Sequence, residues 1–552
     1  MARAIAAALV LALLAIPLAA IRSSGDRLTI LPSLQVDAPA YDAIASAIAR
    51  THSVDPIPPL QPPGFVMTLG ALYAITGHSW LAAKVFLWCT LVACVLMAAR
   101  LGWLIYRHEA AAWAAAWLTA ASPMLQAYTG TIQYELVAAC WLLALLLIAD
   151  WVTRRSSRGG HLAGAAALGA LAGAAMLTRE VFVAVIPLLA LAVVVLRPPW
   201  SRGREPWVAG LVVLTCATIP VVSWARVQSQ RAGRVVTVSD KGPLVLAFGN
   251  NPFANGTFNA PLTGVGEPSG VAFMRAQPRR TTELLGRKFL YFWGVLRDGW
   301  NVPRLAAIWM VRATVGALPL ELALAIARGG GILLLLLTAL ALWPWRRWQE
   351  WWLLPAVISG ILAIHLVTVS SHRFSVPVLP VVFAIIAGPL ASAARRLTAT
   401  GGRRVALVAV VLIVTAAQSA SPPLRYTLRA SEMDGRDAEN VTDAVRGRVR
   451  FASASRGPRA AVLLGDEYLA RGHFAVRVAL RADVSRAAPP IRMWLQHLDA
   501  ARICEITPTV STSKWTDVIM QCQLPRDSVV TLVVETTAVT DVWFESVAFT
   551  WP

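Results

Sequence analysis

The chain has 552 residues, 57% of them hydrophobic and 14% charged, and its net charge of +20 comes almost wholly from arginine. A soluble globular protein carries about 25% charged residues, so that class is excluded. The arginines fall in short clusters between long apolar runs, where they set topology and meet anionic headgroups; this excludes a nucleic-acid partner.

A run of about 20 apolar residues crosses a bilayer, and such runs recur along the first three quarters of the chain. Residues 4–21 follow Arg3 and end in small residues. They read as a retained signal anchor rather than a cleaved signal peptide, because more apolar spans follow. Residues 22–62 form the first exported loop, with a short helix expected from Tyr41 to Arg50. Residues 64–77 are apolar but short, and read as an interfacial or re-entrant helix. Spans are expected near 80–106, 109–127, 131–152, 161–178, 181–197 and 207–226. A long polar section, 227–303, forms a second outer loop. Its Gly, Asn and Pro content around Gly249 to Gly266 suits irregular chain. Residues 304–327 carry Arg304, Arg312 and Glu321 and suit an interfacial helix, and further spans are expected near 329–345, 351–370, 375–394 and 403–421.

The basic clusters test this order. Arg100, Arg107 and His108 follow the second span, and Arg154, Arg155 and Arg158 the fourth. Arg197, Arg202 and Arg204 follow the sixth, Arg346 and Arg347 the eighth, and Arg395, Arg396, Arg403 and Arg404 the tenth. Every second connection is basic, as the positive-inside rule requires. The expectation is a polytopic α-helical protein of eleven spans, N-terminus in the cytoplasm and C-terminus outside. Adding 64–77 and 304–327 as spans gives thirteen, but puts Arg100, Arg107 and the Arg154 cluster outside.

Residues 1–424 thus form a membrane domain, and 425–552 differ. Period-two alternation runs through Phe474 to Leu480, Ile491 to Leu495, Val529 to Val534 and Val542 to Val547. These are strands, and the expected unit is an extracytoplasmic β-sandwich. Trp494, Trp515 and Trp543 pack its core or stack on sugar rings. Cys89, Cys94, Cys140 and Cys216 lie in apolar helices and read as small buried hydrophobes. Cys504 and Cys522 could pair in an oxidising compartment. No CxxC or Cys/His metal spacing occurs.

With this topology, ionisable residues at helix ends sort to one face. Asp37, Tyr41 and Asp42 lie in the first outer loop. Lys84 starts the second span, Tyr134 and Glu135 the fourth, Arg179 and Glu180 end the fifth, and His372 and Arg373 precede the tenth. Ionisable groups near hydrocarbon cost about 2.5–3.5 kcal/mol at a helix centre. Both signs on one face therefore point to a polar cleft at the outer leaflet. Lys84 snorkelling to headgroups and Arg179 pairing with Glu180 are the plainer alternatives.

Asp37-xxx-Tyr41, then Pro62-Pro63-Gly64, then Gly77-His78-Ser79-Trp80 with Lys84 resemble the polytopic GT-C glycosyltransferases. The likeness is to the lipid A aminoarabinose transferase and protein O-mannosyltransferase group. Thr178-Arg179-Glu180, Gly249-Asn250-Asn251-Pro252 and His372-Arg373-Phe374-Ser375-Val376-Pro377 extend it over about residues 1–400. Where that family often has two adjacent acids in the first loop, this chain has Ala38 after Asp37.

The resemblance implies an inverting sugar transfer from a polyprenyl-phosphate donor to an acceptor hydroxyl of a glycan, lipid or protein, at the outer face of the cytoplasmic membrane. On that implication Asp37 is the general base. Lys84, Arg373 and Arg179 hold the donor phosphate. Tyr41, Asp42, Glu135, Glu180 and His372 meet sugar or acceptor hydroxyls. No cofactor is required, and whether a divalent metal sits near Asp37 is left open. The competing class is a lipid or solute transporter or flippase. It would place ionisable groups near the bilayer midplane in repeated halves, and neither pattern is present.

Overall fold

The computed structural model describes residues 2–24, 37–154, 157–196, 203–251, 254, 256–257, 270–295 and 348–399. In the C-terminal part it describes 425–429, 439–443, 447–452, 459–469, 472–483, 491–497, 502–507, 515–524, 528–536 and 541–550. The expected elements at 304–327, 329–345 and 403–421, and the loop before Asp37, lie outside the described residues.

The first part is helical. In chain order come α1 (Ala2–Ser24), α2 (Ala38–Thr51), α3 (Pro63–Thr76), α4 (Trp80–Tyr106), α5 (Glu109–Ala121), α6 (Pro123–Ala127), α7 (Glu135–Arg154) and α8 (Arg158–Thr178). A 3-10 turn, Glu180–Ala184, leads into α9 (Val185–Val195) and α10 (Glu205–Ala232). Then follow α11 (Lys241–Gly249), α12 (Gly270–Ala276), α13 (Pro278–Phe292), α14 (Trp348–Trp351) and α15 (Leu353–Val367). A second 3-10 turn, His372–Val378, runs into α16 (Leu379–Ala399). Among the described residues six helical stretches are long and apolar enough to cross a membrane: Arg3–Arg22, Trp80–Tyr106, Glu135–Arg154, Gly160–Thr178, Glu205–Ala232 and His372–Ser392. The chain is a helical membrane protein.

Local chemistry sets the boundaries. Ser79 caps α4 by accepting from the Ala82 N–H at 3.2 Å, and the helix ends where Arg107 turns left-handed. The single span expected at 109–127 is instead broken. Ser122, before Pro123, sits in extended backbone, ends α5 and caps α6, because a residue before proline disfavours the helical region. The short stretch 64–77 forms α3, 14 residues or about 21 Å long. In the outer section at 227–303, α11 leads into the Gly-, Asn- and Pro-rich stretch from Gly249 to Gly266 and α12 and α13 follow it; residues 252–253, 255 and 258–266 of that stretch lie outside the described residues. The pair Gly169 and Gly173 lets α8 and α10 touch at the backbone. A Cβ at either position would lie 2.4 or 2.5 Å from the Val213 or Ala217 carbonyl oxygen. Small residues four apart permit this close crossing where lipid offers no hydrophobic drive.

The C-terminal part is antiparallel β. One sheet has the order β2 (Glu439–Asp443), β3 (Gly447–Ala452), β10 (Asp541–Thr550), β5 (Gly472–Asp483), β8 (Thr516–Leu524), with β1 (Arg425–Arg429) also on β10. The other runs β4 (Arg459–Leu469), β9 (Ser528–Thr536), β6 (Arg492–His497), β7 (Arg502–Ile506). Alternate residues of both sheets enter one apolar cluster, which includes Phe474, Val478, Met493, Leu532 and Phe544. Cys504 of β7 and Cys522 of β8 are disulfide-bonded, Cα–Cα 5.4 Å, and link the two sheets.

Candidate active site

Asp37 is the residue before α2, and its carbonyl accepts that helix's first backbone bond, from Tyr41 N at 3.1 Å. Pro39 in the first turn fixes the start. Arg373 comes from the far end of the chain, in the 3-10 turn before α16. Its backbone N–H donates to the Ser371 hydroxyl at 3.4 Å. The Arg373 side chain is buried, and Nη2 donates to Asp37 Oδ2 at 3.0 Å. The same Nη2 reaches the Tyr134 hydroxyl at 3.5 Å. Nε lies 3.0 Å from Glu135 Oε1, close as an ion pair though not aligned as a hydrogen bond.

One guanidinium therefore faces two carboxylates. They differ in access: the Asp37 side chain is 28% exposed and that of Glu135 is 0%. Glu135 opens α7, where a carboxylate also meets the positive end of the helix dipole. Of the two carboxylates, Asp37 is the accessible one.

Around this pair stands an aromatic wall. The Tyr41 ring meets Phe65 edge-on at 5.5 Å and tilts toward Tyr134 at 5.7 Å. Tyr41 is buried. Burial, reinforced by Tyr134 and by the Asp37 and Glu135 carboxylates, holds its hydroxyl well above the ordinary tyrosine value. It keeps its proton, and no described residue accepts it.

Arg179 follows α8 and is 4% exposed. Its guanidinium carbon lies 5.5 Å from the Tyr134 ring centroid and 5.2 Å from that of Phe374. That of Arg373 lies 5.4 Å from the same Phe374 ring. Both Arg179 Nη atoms are buried without a hydrogen-bond partner among the described residues. Buried polar groups are nearly always paired, and these two cationic donors are exceptions among the described residues.

No protein-family model matches the chain, and no curated protein matches its sequence. Among solved structures it is similar to ArnT from Cupriavidus metallidurans bound to undecaprenyl phosphate, at 13% identity and a TM-score of 0.34. That match covers 68% of this chain and 76% of the other. The Archaeoglobus fulgidus oligosaccharyltransferase in complex with Zn and sulfate is 14% identical over 75% of this chain and 53% of its own, with a TM-score of 0.33. Arabinose-bound α-L-arabinofuranosidase MgGH51 matches at 11% identity and a TM-score of 0.17; the chain spans 24% of it, using 24% of its own length. Likenesses this distant assign no residue, so the roles below rest on geometry.

The other candidates are engaged in different ways. Lys84 is fully enclosed one turn into α4. Arg179 and Glu180 do not pair with each other: half-buried Glu180 accepts from the Ser239 hydroxyl. Asp42 turns to α3 and the chain after it, accepting from the Tyr73 hydroxyl at 2.7 Å and lying 3.1 Å from His78 Nε2. Glu135 lies against Arg373 rather than in open space. His372 packs so closely on Gly294 that a Cβ there would lie 2.6 Å from its ring.

Tyr134, placed on this face by the sequence but given no role there, joins Arg373 to the aromatic wall. One residue was overlooked in the sequence. His365 stacks on Phe374 at 4.3 Å with Nδ1 3.3 Å from the Val369 carbonyl. A histidine inside an apolar run was the available signal, because such groups are expensive there. Among the described residues no group of three or more His, Cys, Asp or Glu is placed to hold a metal ion.

Proposed function

We propose that the chain is an inverting glycosyltransferase. It moves a sugar from a polyprenyl-phosphate donor to an acceptor hydroxyl at the outer face of the cytoplasmic membrane. The observation that carries this reading is the contrast between two adjacent guanidiniums, Arg373 engaged by two carboxylates and Arg179 buried with open donors. An engaged guanidinium orients a base, and an open one awaits an anion.

The roles follow. Asp37 removes the acceptor hydroxyl proton, and the freed oxygen attacks the anomeric carbon opposite the phosphate. The bond from that carbon to the phosphate oxygen breaks, and the electron pair leaves with the polyprenyl phosphate. Arg179, with Lys84 as a second cation, stabilises the charge that collects there. Phosphate is a good leaving group, so the site has no need of a strong general acid. Arg373 was expected from the sequence to grip phosphate; its two carboxylate contacts favour holding Asp37 in position instead. Tyr41 offers a protonated hydroxyl to sugar or acceptor.

We further read the membrane domain as eleven spans, with the 425–552 unit as an extracytoplasmic β-sandwich. Fusing a reporter enzyme at residue 424 tests the side: periplasmic activity supports it, cytoplasmic activity overturns it. For the reaction, the purified chain is incubated with a panel of undecaprenyl-phosphate sugars and acceptors while released undecaprenyl phosphate is followed. Release that needs Asp37 supports the reading. Transport of the lipid across vesicles without release rejects it.

A further inference from the structure

The segment from α11 to α13 is fastened to the chain that leads into the Arg373 turn, and one lysine sits at the fastening. Lys288 lies on the buried face of α13, four residues after Leu284 and three before Tyr291. It is completely enclosed. Its Nζ donates to Asn250 Oδ1 at 2.9 Å and to the Val367 carbonyl at 3.4 Å. Asn250 Nδ2 in turn donates to the Val367 carbonyl at 2.7 Å and to Leu246 at 2.8 Å. The seam continues on both sides. Ser370 N donates to the Gly256 carbonyl at 3.0 Å, and a Cβ at Gly249 would lie 1.8 Å from the Thr368 oxygen.

We propose that Lys288 is a positioning residue: through Asn250 and the Val367 carbonyl it holds the backbone that presents Arg373 to Asp37. The inference rests on the transferase reading for its consequence, but the clasp itself can be tested without any sugar. Among the described residues no carboxylate pairs with Lys288. The charged and titratable groups around it are otherwise engaged. On its own helix, Arg287 donates to the Tyr291 hydroxyl and Glu283 pairs with Arg280. Lys241 of α11 binds Gln61, and Arg275 of α12 is exposed. His365 of α15 stacks on Phe374, His372 packs on Gly294, and Arg373 holds Asp37.

Burial therefore acts on the amine unopposed and pushes it down to about 7. The sign follows. Between about 7 and the ordinary lysine value the opened segment binds a proton that the closed clasp does not, so closure strengthens as pH rises through that window. Below it the closed form carries the full cost of a buried, unpaired ammonium.

The test is amide hydrogen exchange on the full chain in detergent, corrected for intrinsic rates, at pH 6.5 and 8.5. Segments 241–257 and 365–374 are expected to be about 25-fold more protected at the higher pH, since each unit across the window is worth tenfold in the opening equilibrium and about one and a half units of it lie between the two values. Lys288→Met removes that pH dependence. Lys288→Arg, which cannot lose its proton, is poorly protected at both values. Asn250→Ala keeps the amine but uncouples 365–374 from 241–257. An unchanged pH dependence in Lys288→Met, or joint protection that survives Asn250→Ala, overturns the clasp. If exchange behaves as expected but Lys288→Met leaves the pH profile of undecaprenyl phosphate release as it was, the positioning role fails while the transferase reading stands.

Discussion

The two ends of α7 carry two arginine clusters that resemble each other in composition and differ in how they close. At the far end Arg154 pairs with Asp150 at 2.7 Å, one turn back on the same helix, and lies 3.5 Å from Glu350. Its Nη2 also donates to the Glu350 carbonyl at 2.9 Å, and its guanidinium carbon stands 4.4 Å from the Trp351 ring. That cluster uses its cation fully and is partly open to its surroundings. At the near end Glu135 meets Arg373, which reaches across to Asp37, and beside them both Nη atoms of enclosed Arg179 have no hydrogen-bond partner among the described residues. A structural ion cluster closes on itself; a site that handles an anion leaves a donor open. Buried guanidiniums alone do not mark a site; the proposed transferase reading rests on one whose Nη atoms are unmatched among the described residues, next to an accessible carboxylate.

The widest separation between the ends is expected in turnover. Asp37→Asn keeps the shape and a contact to Arg373 but cannot take a proton, so sugar transfer falls by about 10²–10⁴-fold. Asp150→Asn at the other end leaves turnover within a factor of about two, being remote from the chemistry. Equal losses in the two variants point to a folding defect rather than a catalytic one. Next in size is lipid affinity. Arg179→Met removes a charged hydrogen-bond donor worth about 1.5–3 kcal/mol, so binding of undecaprenyl phosphate weakens by about 10–150-fold. Arg154→Met leaves that binding unchanged. Retention of full affinity in Arg179→Met moves the phosphate elsewhere, with Lys84 the next cation to test.

Stability gives a smaller contrast. Glu135 is fully enclosed, and Glu135→Leu leaves Arg373 buried with one carboxylate fewer, at a cost of about 3 kcal/mol or more in unfolding free energy. Glu350 has a side chain 49% exposed, so Glu350→Leu costs under about 1 kcal/mol. Thermal unfolding of both variants in one detergent reads the difference directly. Similar costs at the two ends contradict the closed-versus-open distinction.

That Asp37 and Arg373, 336 residues apart and in contact, belong to one end of the helices was an expectation from the alternation of basic clusters. The expected helix at 80–106 became α4 with the same bounds. Sidedness, however, cannot tell which of several groups on a face touch. That Glu135 rather than Asp42 joins Arg373 depends on the rotation of α7 and on a 3-10 turn that tightens the chain at His372. No periodicity encodes either. The helices inside 227–303 were missed because its glycines were read as loose chain, whereas Gly249 and Gly256 stand at close approaches to Thr368 and Lys288. Lys288 escaped notice for a related reason. It stands on the apolar side of an otherwise basic amphipathic helix, where pattern alone reads as a surface residue one position out of place.

The smallest expected effect sharpens the near end itself. Tyr41 is walled by Phe65 and Tyr134 and its hydroxyl has no partner among the described residues, yet it lies one helical turn from Asp37. Tyr41→Phe removes the hydroxyl without opening a cavity, so the fold is unaffected and only a substrate contact can be lost. The expected cost is about 0.5–1.5 kcal/mol, a rise of about two- to tenfold in KM with kcat little changed. Since burial and the nearby carboxylates hold the phenol well above its ordinary value, the alkaline side of the pH–rate profile should be the same in wild type and Tyr41→Phe up to about pH 10. An alkaline limb that disappears in the variant instead makes Tyr41 an ionising participant. The division of labour between Asp37 as base and Tyr41 as neutral donor is then reversed.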